Sequence, residues 1–121
     1  MGVNYTEAVG RRRMSLEDFA AVTSTNAAKL LGLYPRKGAI AVGSDADICI
    51  IDPAIKKSLR MADLHVRDYS PWENWPVEGW PTTVILRGKV MVANGQLLGS
   101  PSDGQLIPRK IDPRVLRRPA F

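Results

Sequence analysis

Residues 38–53, Gly-Ala-Ile-Ala-Val-Gly-Ser-Asp-Ala-Asp-Ile-Cys-Ile-Ile-Asp-Pro, constrain the fold more than any other stretch. They read as a glycine turn, a short apolar strand, a polar turn at Gly43-Ser44-Asp45, and then the run Ile48-Cys49-Ile50-Ile51. A continuous apolar run of that length predicts a strand buried on both faces. Pro53 is expected to end it, because proline lacks the N–H that a ladder needs. Helical spacing precedes the stretch and strand-and-turn patterning follows it. An architectural boundary is therefore expected near Lys37-Gly38.

Upstream, residues 3–9 read as one or two helical turns, with Gly10 and Arg11-Arg12-Arg13 as a connection. Ser15-Leu16-Glu17-Asp18 has the form of a capping box, in which the serine oxygen accepts from the first turn and Asp18 answers. Leu16, Phe19 and Ala20 share one face. A second helix is expected from about Thr25, with Ala27, Ala28, Leu30 and Leu31 as its apolar side, stopped by Gly32. Thr23, Ser24 and Asn26 are read as caps. Helices this short need a partner surface.

Downstream, residues 57–60 suggest a short strand. Residues 69–81 hold all three tryptophans and three of the nine prolines, which predicts an irregular loop packed against something. Residues 82–86 and 89–92 read as strands around Arg87-Gly88. Asn94-Gly95 predicts a type I′ hairpin turn, since both of its central positions need positive φ. Residues 96–98 return as the next strand. The remainder reads as a loop and an extended tail that gains little by folding on itself. The whole is an α+β chain with at least four strands between residues 39 and 98.

Several function classes are disfavoured by composition. The chain has 121 residues, 45% of them hydrophobic and 24% charged, as in ordinary globular domains. No run reaches the roughly 18 apolar residues of a membrane span, and residues 1–13 lack the apolar centre of a signal peptide. A cytoplasmic location is the expectation. The net charge of +5 comes from Arg11–Arg13 and from Arg109, Lys110, Arg114, Arg117 and Arg118. Neither cluster has interleaved aromatic residues or a recognition-helix pattern, so nucleic acid is not expected as a partner. A tail docking on an acidic neighbouring surface fits better.

Candidate chemistry is sparse. Cys49 is the only cysteine and His65 the only histidine. Cys49 is read as a core residue rather than a reactive thiol. A lone histidine cannot make a metal site, and Asp63 and Asp68 do not complete a zinc spacing around it. The expected list of catalytic, cofactor-binding and metal-ligating residues is therefore empty.

Three stretches resemble a known family. Residues 38–53 are similar to the K-G-x-I-x-x-G-x-D-A-D-hydrophobic-D segment at which amidohydrolase-superfamily enzymes return from the barrel to a small β-sandwich. Tyr5-Thr6-Glu7-Ala8-Val9, Met14-Ser15-Leu16 and residues 22–33 resemble the closing helices of the dihydropyrimidinase and D-hydantoinase barrel. Tyr69-Ser70-Pro71-Trp72-Glu73-Asn74-Trp75-Pro76-Val77-Glu78-Gly79-Trp80-Pro81 is similar to their Y-x-P-[FW]-E-G-x-x-V-x-G-W-P loop. Asn74 stands where glycine is usual, a mild departure because asparagine tolerates left-handed backbone.

The resemblance implies three segments. Residues 1–37 would be terminal helices of a TIM-type (β/α)8 barrel, 38–99 part of the β-sandwich, and 100–121 an extended basic tail lying across a neighbouring subunit. It also implies, for the full-length family, hydrolysis of cyclic amides by binuclear zinc bridged by a carboxylated lysine, in a homo-oligomer. None of those ligands has a matching position here. This chain alone is thus expected to bind no cofactor and to be inactive, with the missing barrel portion or full-length subunits as its partners. A non-catalytic dihydropyrimidinase-related assembly protein and an unrelated basic binding module are the two other readings.

Overall fold

The structure, a computed structural model, describes residues 1–64 and 68–117. Residues 65–67 and 118–121, and with them His65 and Arg118, lie outside the described residues. Helical residues occupy the chain up to Leu30, and the strands follow from Ile48.

The first helical run comprises Gly2–Tyr5 and, continuing in wider π-helical turns, Thr6–Arg11. It therefore passes through Gly10, where a connection was expected, and ends before Arg13 takes φ 58°. The second run is continuous from Leu16–Ala20 through Ala21–Thr25 to Asn26–Leu30. Two separate helices were expected here. The junction instead stays helical and is widened by one π-helical segment. Thr23 and Asn26 are accordingly not caps: the Thr23 hydroxyl donates back to the Phe19 carbonyl at 2.7 Å, and Asn26 has helical backbone angles. Ser15 does cap the run, its oxygen accepting from the Asp18 N–H at 3.0 Å. Asp18 answers through the serine hydroxyl at 2.8 Å rather than through its backbone. Gly32 closes the run at φ 70°.

Residues 39–42 form no strand. They make a bend and turn with Ile40 and Val42 fully exposed, because no described segment lies alongside to complete a ladder. Among the described residues there are four strands, β1 (Ile48–Ser58), β2 (Pro76–Leu86), β3 (Lys89–Ala93) and β4 (Gln96–Leu97). They form one antiparallel sheet in the order β1-β2-β3-β4.

β1 differs from expectation in two ways. It does not stop at Pro53, because the register shifts between Asp52 and Lys56, and an irregular stretch spares the proline a ladder bond. The Asp52 carboxylate instead accepts from Ala54 N–H at 2.8 Å. Nor is β1 buried on both faces: it is an edge strand, with Ile50 48% accessible and Cys49 exposed. The expected short strand at 57–60 is the end of β1.

The aromatic stretch is half loop and half strand, since β2 begins at Pro76. Leu59 and, within the stretch itself, Val77 are fully buried and, with Phe19 and Ala28, make up the small core among the described residues. Each tryptophan has a specific neighbour. Trp72 meets Trp75 edge-on with ring centres 5.5 Å apart, Arg11 lies over Trp75, and Lys57 sits 3.8 Å from the centre of Trp80. Asn74 takes φ 62° where the family loop has glycine. Asn94 and Gly95 both take positive φ, as a type I′ turn requires.

The tail folds back rather than running free. Lys110 N–H donates to the Gly32 carbonyl at 3.0 Å, and a Cβ at Gly32 would come within 2.6 Å of Ile111 N. Pro101–Asp103 is a 3-10 turn, and Pro113–Arg117 is a short helix.

Candidate functional site

Lys37 stands where the helical part hands over to the sheet, and it gathers the polar residues of the 38–53 stretch. Its ammonium lies 2.9 Å from an Asp45 oxygen and is also paired with Asp47. Arg36 reaches the same Asp45 oxygen at 3.0 Å. Asp47 uses its other oxygen to accept from Arg87 N–H at 2.8 Å, and Gly88 N–H donates to Ala46 at 3.0 Å. One lysine and two aspartates thus tie the end of the second helical run to the β2–β3 turn.

Close packing sets the same junction. Gly38 has φ 78°, and a Cβ there would sit 2.5 Å from that of Ala28. Thr25 Oγ1 donates to the Gly38 carbonyl at 2.8 Å, and Ser44 Oγ to that of Pro35 at 2.8 Å. Desolvation opposes the charge on Lys37, but its hydrogen bonds to Asp47 and Asp45 outweigh this and raise its pKa. The Lys37 hydrogen bond holds Asp45 below the usual carboxylate range. Both groups stay charged near neutral pH and bound to each other, which suits a clamp and not proton transfer.

A second seam joins the first helical run to β2. Thr6, 3% accessible, accepts from Glu78 N–H at 3.0 Å, and its hydroxyl lies 3.0 Å from the Glu78 carbonyl and 2.8 Å from that of Gly2. Beside it Gly79 takes φ 90° with the Tyr5 ring against its α-carbon, and Tyr5 meets Phe19 edge-on. A third clamp lies beyond β3. Asp103 accepts from Lys89 at 2.7 and 2.8 Å and from Ser100 N–H at 2.7 Å, and its pKa is lowered mainly by Lys89.

Among the described residues, no three His, Cys, Asp or Glu side chains gather as metal ligands. The neighbouring carboxylates of Asp45 and Asp47 are both spent on Lys37. Those residues do not fit the donor set of a binuclear hydrolytic centre, which needs several converging ligands and open positions. Cys49 is exposed on the edge strand, not in the core, and desolvation by its apolar neighbours raises its thiol pKa. Neither Thr6 nor the Arg87 and Asp103 contacts had been singled out from the sequence. The Ser100-x-x-Asp103 spacing of a capping box was the available signal for the last.

Comparison with known proteins gives the assembly of clamps its context. The pattern of the "Amidohydrolase family" matches residues 1–91. The D-hydantoinase of Ralstonia pickettii is 43% identical over 105 residues, which cover 86% of this chain and 23% of that protein. The structure of D-hydantoinase from a Bacillus sp. AR9 superimposes with a TM-score of 0.86 at 44% identity, over 91% of this chain and 24% of its own. The D-hydantoinase (dihydropyrimidinase) from a Thermus sp. gives 0.84 at 43%, over 89% and 24%. The chain spans about a quarter of the length of these relatives. No described helix is long and apolar enough to cross a membrane. The chain belongs to the amidohydrolase family, and within it to the hydantoinase- and dihydropyrimidinase-like members.

Proposed function

We propose that this chain acts as the closing segment of a hydantoinase- or dihydropyrimidinase-type enzyme that opens the ring amide of dihydropyrimidines or 5-substituted hydantoins. In this reading residues 1–37 close the barrel, 38–99 belong to the small sandwich, and the tail from residue 100 meets neighbouring subunits of a cytoplasmic homo-oligomer. The observation that carries it is the superposition of nearly the whole chain on one quarter of D-hydantoinase at TM-score 0.86. The clamps at Lys37, Thr6 and Asp103 support a scaffolding role, because each joins elements and none offers a free nucleophile or base.

The chemistry then belongs to residues beyond this chain. A binuclear metal centre of the kind the family resemblance implies would be held by residues beyond this chain and would supply activated water and a polarised amide carbonyl. This chain's residues hold the surfaces on which such a barrel closes. The test is a graft: the matching segment of the Bacillus sp. AR9 D-hydantoinase is replaced by this chain. Ring opening retained within about tenfold, or about 1.4 kcal/mol of barrier, is the expected result. A folded, metal-loaded graft without activity would overturn it.

A further inference from the structure

The turn between β3 and β4 holds a reactive pair that the scaffolding role does not use. Asn94 is one of four asparagines in the chain and the one followed by glycine. Both residues are exposed, and both take positive φ, 49° and 78°. An asparagine loses its amide without an enzyme when the nitrogen of the next residue attacks its side-chain carbonyl and closes a five-membered ring. The reaction depends on how free that nitrogen is and on how far the backbone can swing to bring it to the carbonyl.

The other three asparagines lack this freedom. Asn4 is followed by Tyr5, whose N–H donates to the Met1 carbonyl at 3.0 Å, and Asn26 lies inside the second helical run. Asn74 shares the left-handed backbone and the exposure of Asn94. Its neighbour is bulky, however, and Trp75 N–H is tied to the Trp72 carbonyl at 2.9 Å. Gly95 is unencumbered. Nothing lies within 4 Å of where its Cβ would stand, and the turn's hydrogen bond joins the residues on either side of the central pair, leaving the Gly95 N–H out of it.

Little holds the turn closed. Asn94 N–H donates to the Thr82 carbonyl at 2.8 Å, but beyond it β4 is two residues long, Gln96 and Leu97 paired with Ala93 and Val92. So short an edge strand opens locally at small cost. The opened turn lets the Gly95 nitrogen reach the Asn94 side chain.

We infer that Asn94-Gly95 is a self-modifying site, with water as its only co-reactant, whose reaction releases β4 from the sheet. The Gly95 nitrogen gives its proton to solvent base and bonds to Asn94 Cγ. The Cγ–Nδ2 bond breaks, and Nδ2 takes up a proton and leaves as ammonia. One water then opens the ring. Cleavage at Cγ gives aspartate, and cleavage at the main-chain carbonyl gives isoaspartate. The sum is amide plus water to carboxylate plus ammonium, with no change in oxidation state, and the net charge of +5 falls by one.

The two products act differently on the sheet. Aspartate before glycine is accepted in a type I′ turn. Isoaspartate carries the main chain through the side-chain methylene, and a two-residue turn cannot absorb the added length. The pairing of Ala93 with Gln96 and of Val92 with Leu97 is lost with it. Further along, Lys89 still holds Asp103 at 2.7 and 2.8 Å. The release is therefore confined to β4.

The experiment ages the purified chain in mildly alkaline buffer made with heavy-oxygen water. Peptides are read by mass spectrometry, and isoaspartate is marked by the methyltransferase specific for it. Asn94 is expected to take up solvent oxygen about tenfold or more faster than Asn4, Asn26 and Asn74, since local opening frees its neighbour alone. Amide exchange over residues 96–99 should rise about tenfold in the isoaspartate fraction, with β1 and β2 unchanged. Asn94→Gly keeps the type I′ turn and has no side chain to cyclise, so its 96–99 amides should stay protected through the same ageing. Asn94→Asp carries the new charge from the start and should begin with those amides protected, which separates charge from chain length. Modification of Asn94 no faster than of the other asparagines would overturn the inference. So would unchanged exchange over 96–99 in the isoaspartate fraction, or loss of protection in Asn94→Gly at the rate of the unaltered chain.

Discussion

Thr6 and Glu78, 72 positions apart, meet through one hydroxyl that accepts the strand residue's N–H at 3.0 Å and lies 3.0 Å from its carbonyl. A helix side chain thereby serves β2 as a neighbouring strand would. Thr6→Val keeps the shape and removes the partner, leaving backbone groups of Glu78 without one. A loss of about 1–3 kcal/mol in urea unfolding is expected, and Thr6→Ser should recover most of it. Equal stability of the valine variant would show that the seam contributes only packing.

Gly79 tests the same seam by shape. At φ 90°, with Tyr5 Cδ1 2.4 Å from where a Cβ would stand, Gly79→Ala combines backbone strain with overpacking. The expected loss is about 2–4 kcal/mol. Gly10 is the control, helical with nothing within 4 Å of a Cβ, so Gly10→Ala should gain about 0.5–1 kcal/mol. Urea midpoints of the two variants must move in opposite directions.

The Lys37 junction predicts a two-sided pH dependence. Asp45 has its pKa lowered by the Lys37 hydrogen bond, so its contribution is full above the unfolded value of about 3.9 and is lost as pH falls through the folded one. Lys37 has its pKa raised, so its contribution is full below about 10.4 and is lost as pH rises through the folded value. Asp63 and Asp103, lowered chiefly by Lys57 and Lys89, steepen the acid limb. Thermal midpoints against pH should form a plateau between these limits. Lys37→Met should flatten the alkaline limb and lessen the acid one; an unchanged alkaline limb would contradict the assignment.

Exposed apolar surface predicts behaviour in solution. Val22, Leu30, Ile40, Val42 and Leu106 all exceed half of full accessibility, and Met14, Val22 and Leu30 line one groove on the second helical run. Patches of several hundred Å² are unusual on stable monomers. The isolated chain should self-associate and bind a hydrophobic dye. A monomer by sedimentation, with a cooperative melt and no dye binding, would count against the closing-segment role.

Some of the structure was legible from residue types alone, and the rest fails for identifiable reasons. Asn94-Gly95 announces its turn because both residues tolerate positive φ. Arg87-Gly88 makes the same pair of positive angles, 47° and 83°, but arginine carries no such signal. An apolar run such as 48–51 reads as doubly buried, because residue type reports what a strand could bury and not whether anything lies alongside to cover it. Pro53 reads as a strand end because a bulge is invisible in one sequence. Thr6 looks like any helical threonine until β2 is placed beside it. Lys37, Asp45 and Asp47 were visible as a family pattern, whereas their pairing as a clamp depends on the fold that brings them together.

The central claim is that this chain closes an enzyme whose chemistry lies elsewhere, and the most direct measurement is ring opening by the purified chain. Dihydrouracil and a 5-substituted hydantoin are each incubated with the chain and added zinc or manganese. With one histidine and one cysteine in 121 residues, it cannot assemble the several ligands of a binuclear site. The predicted result is no turnover above the metal-only control. Metal-dependent ring opening by the chain alone, surviving His65→Ala, would contradict it.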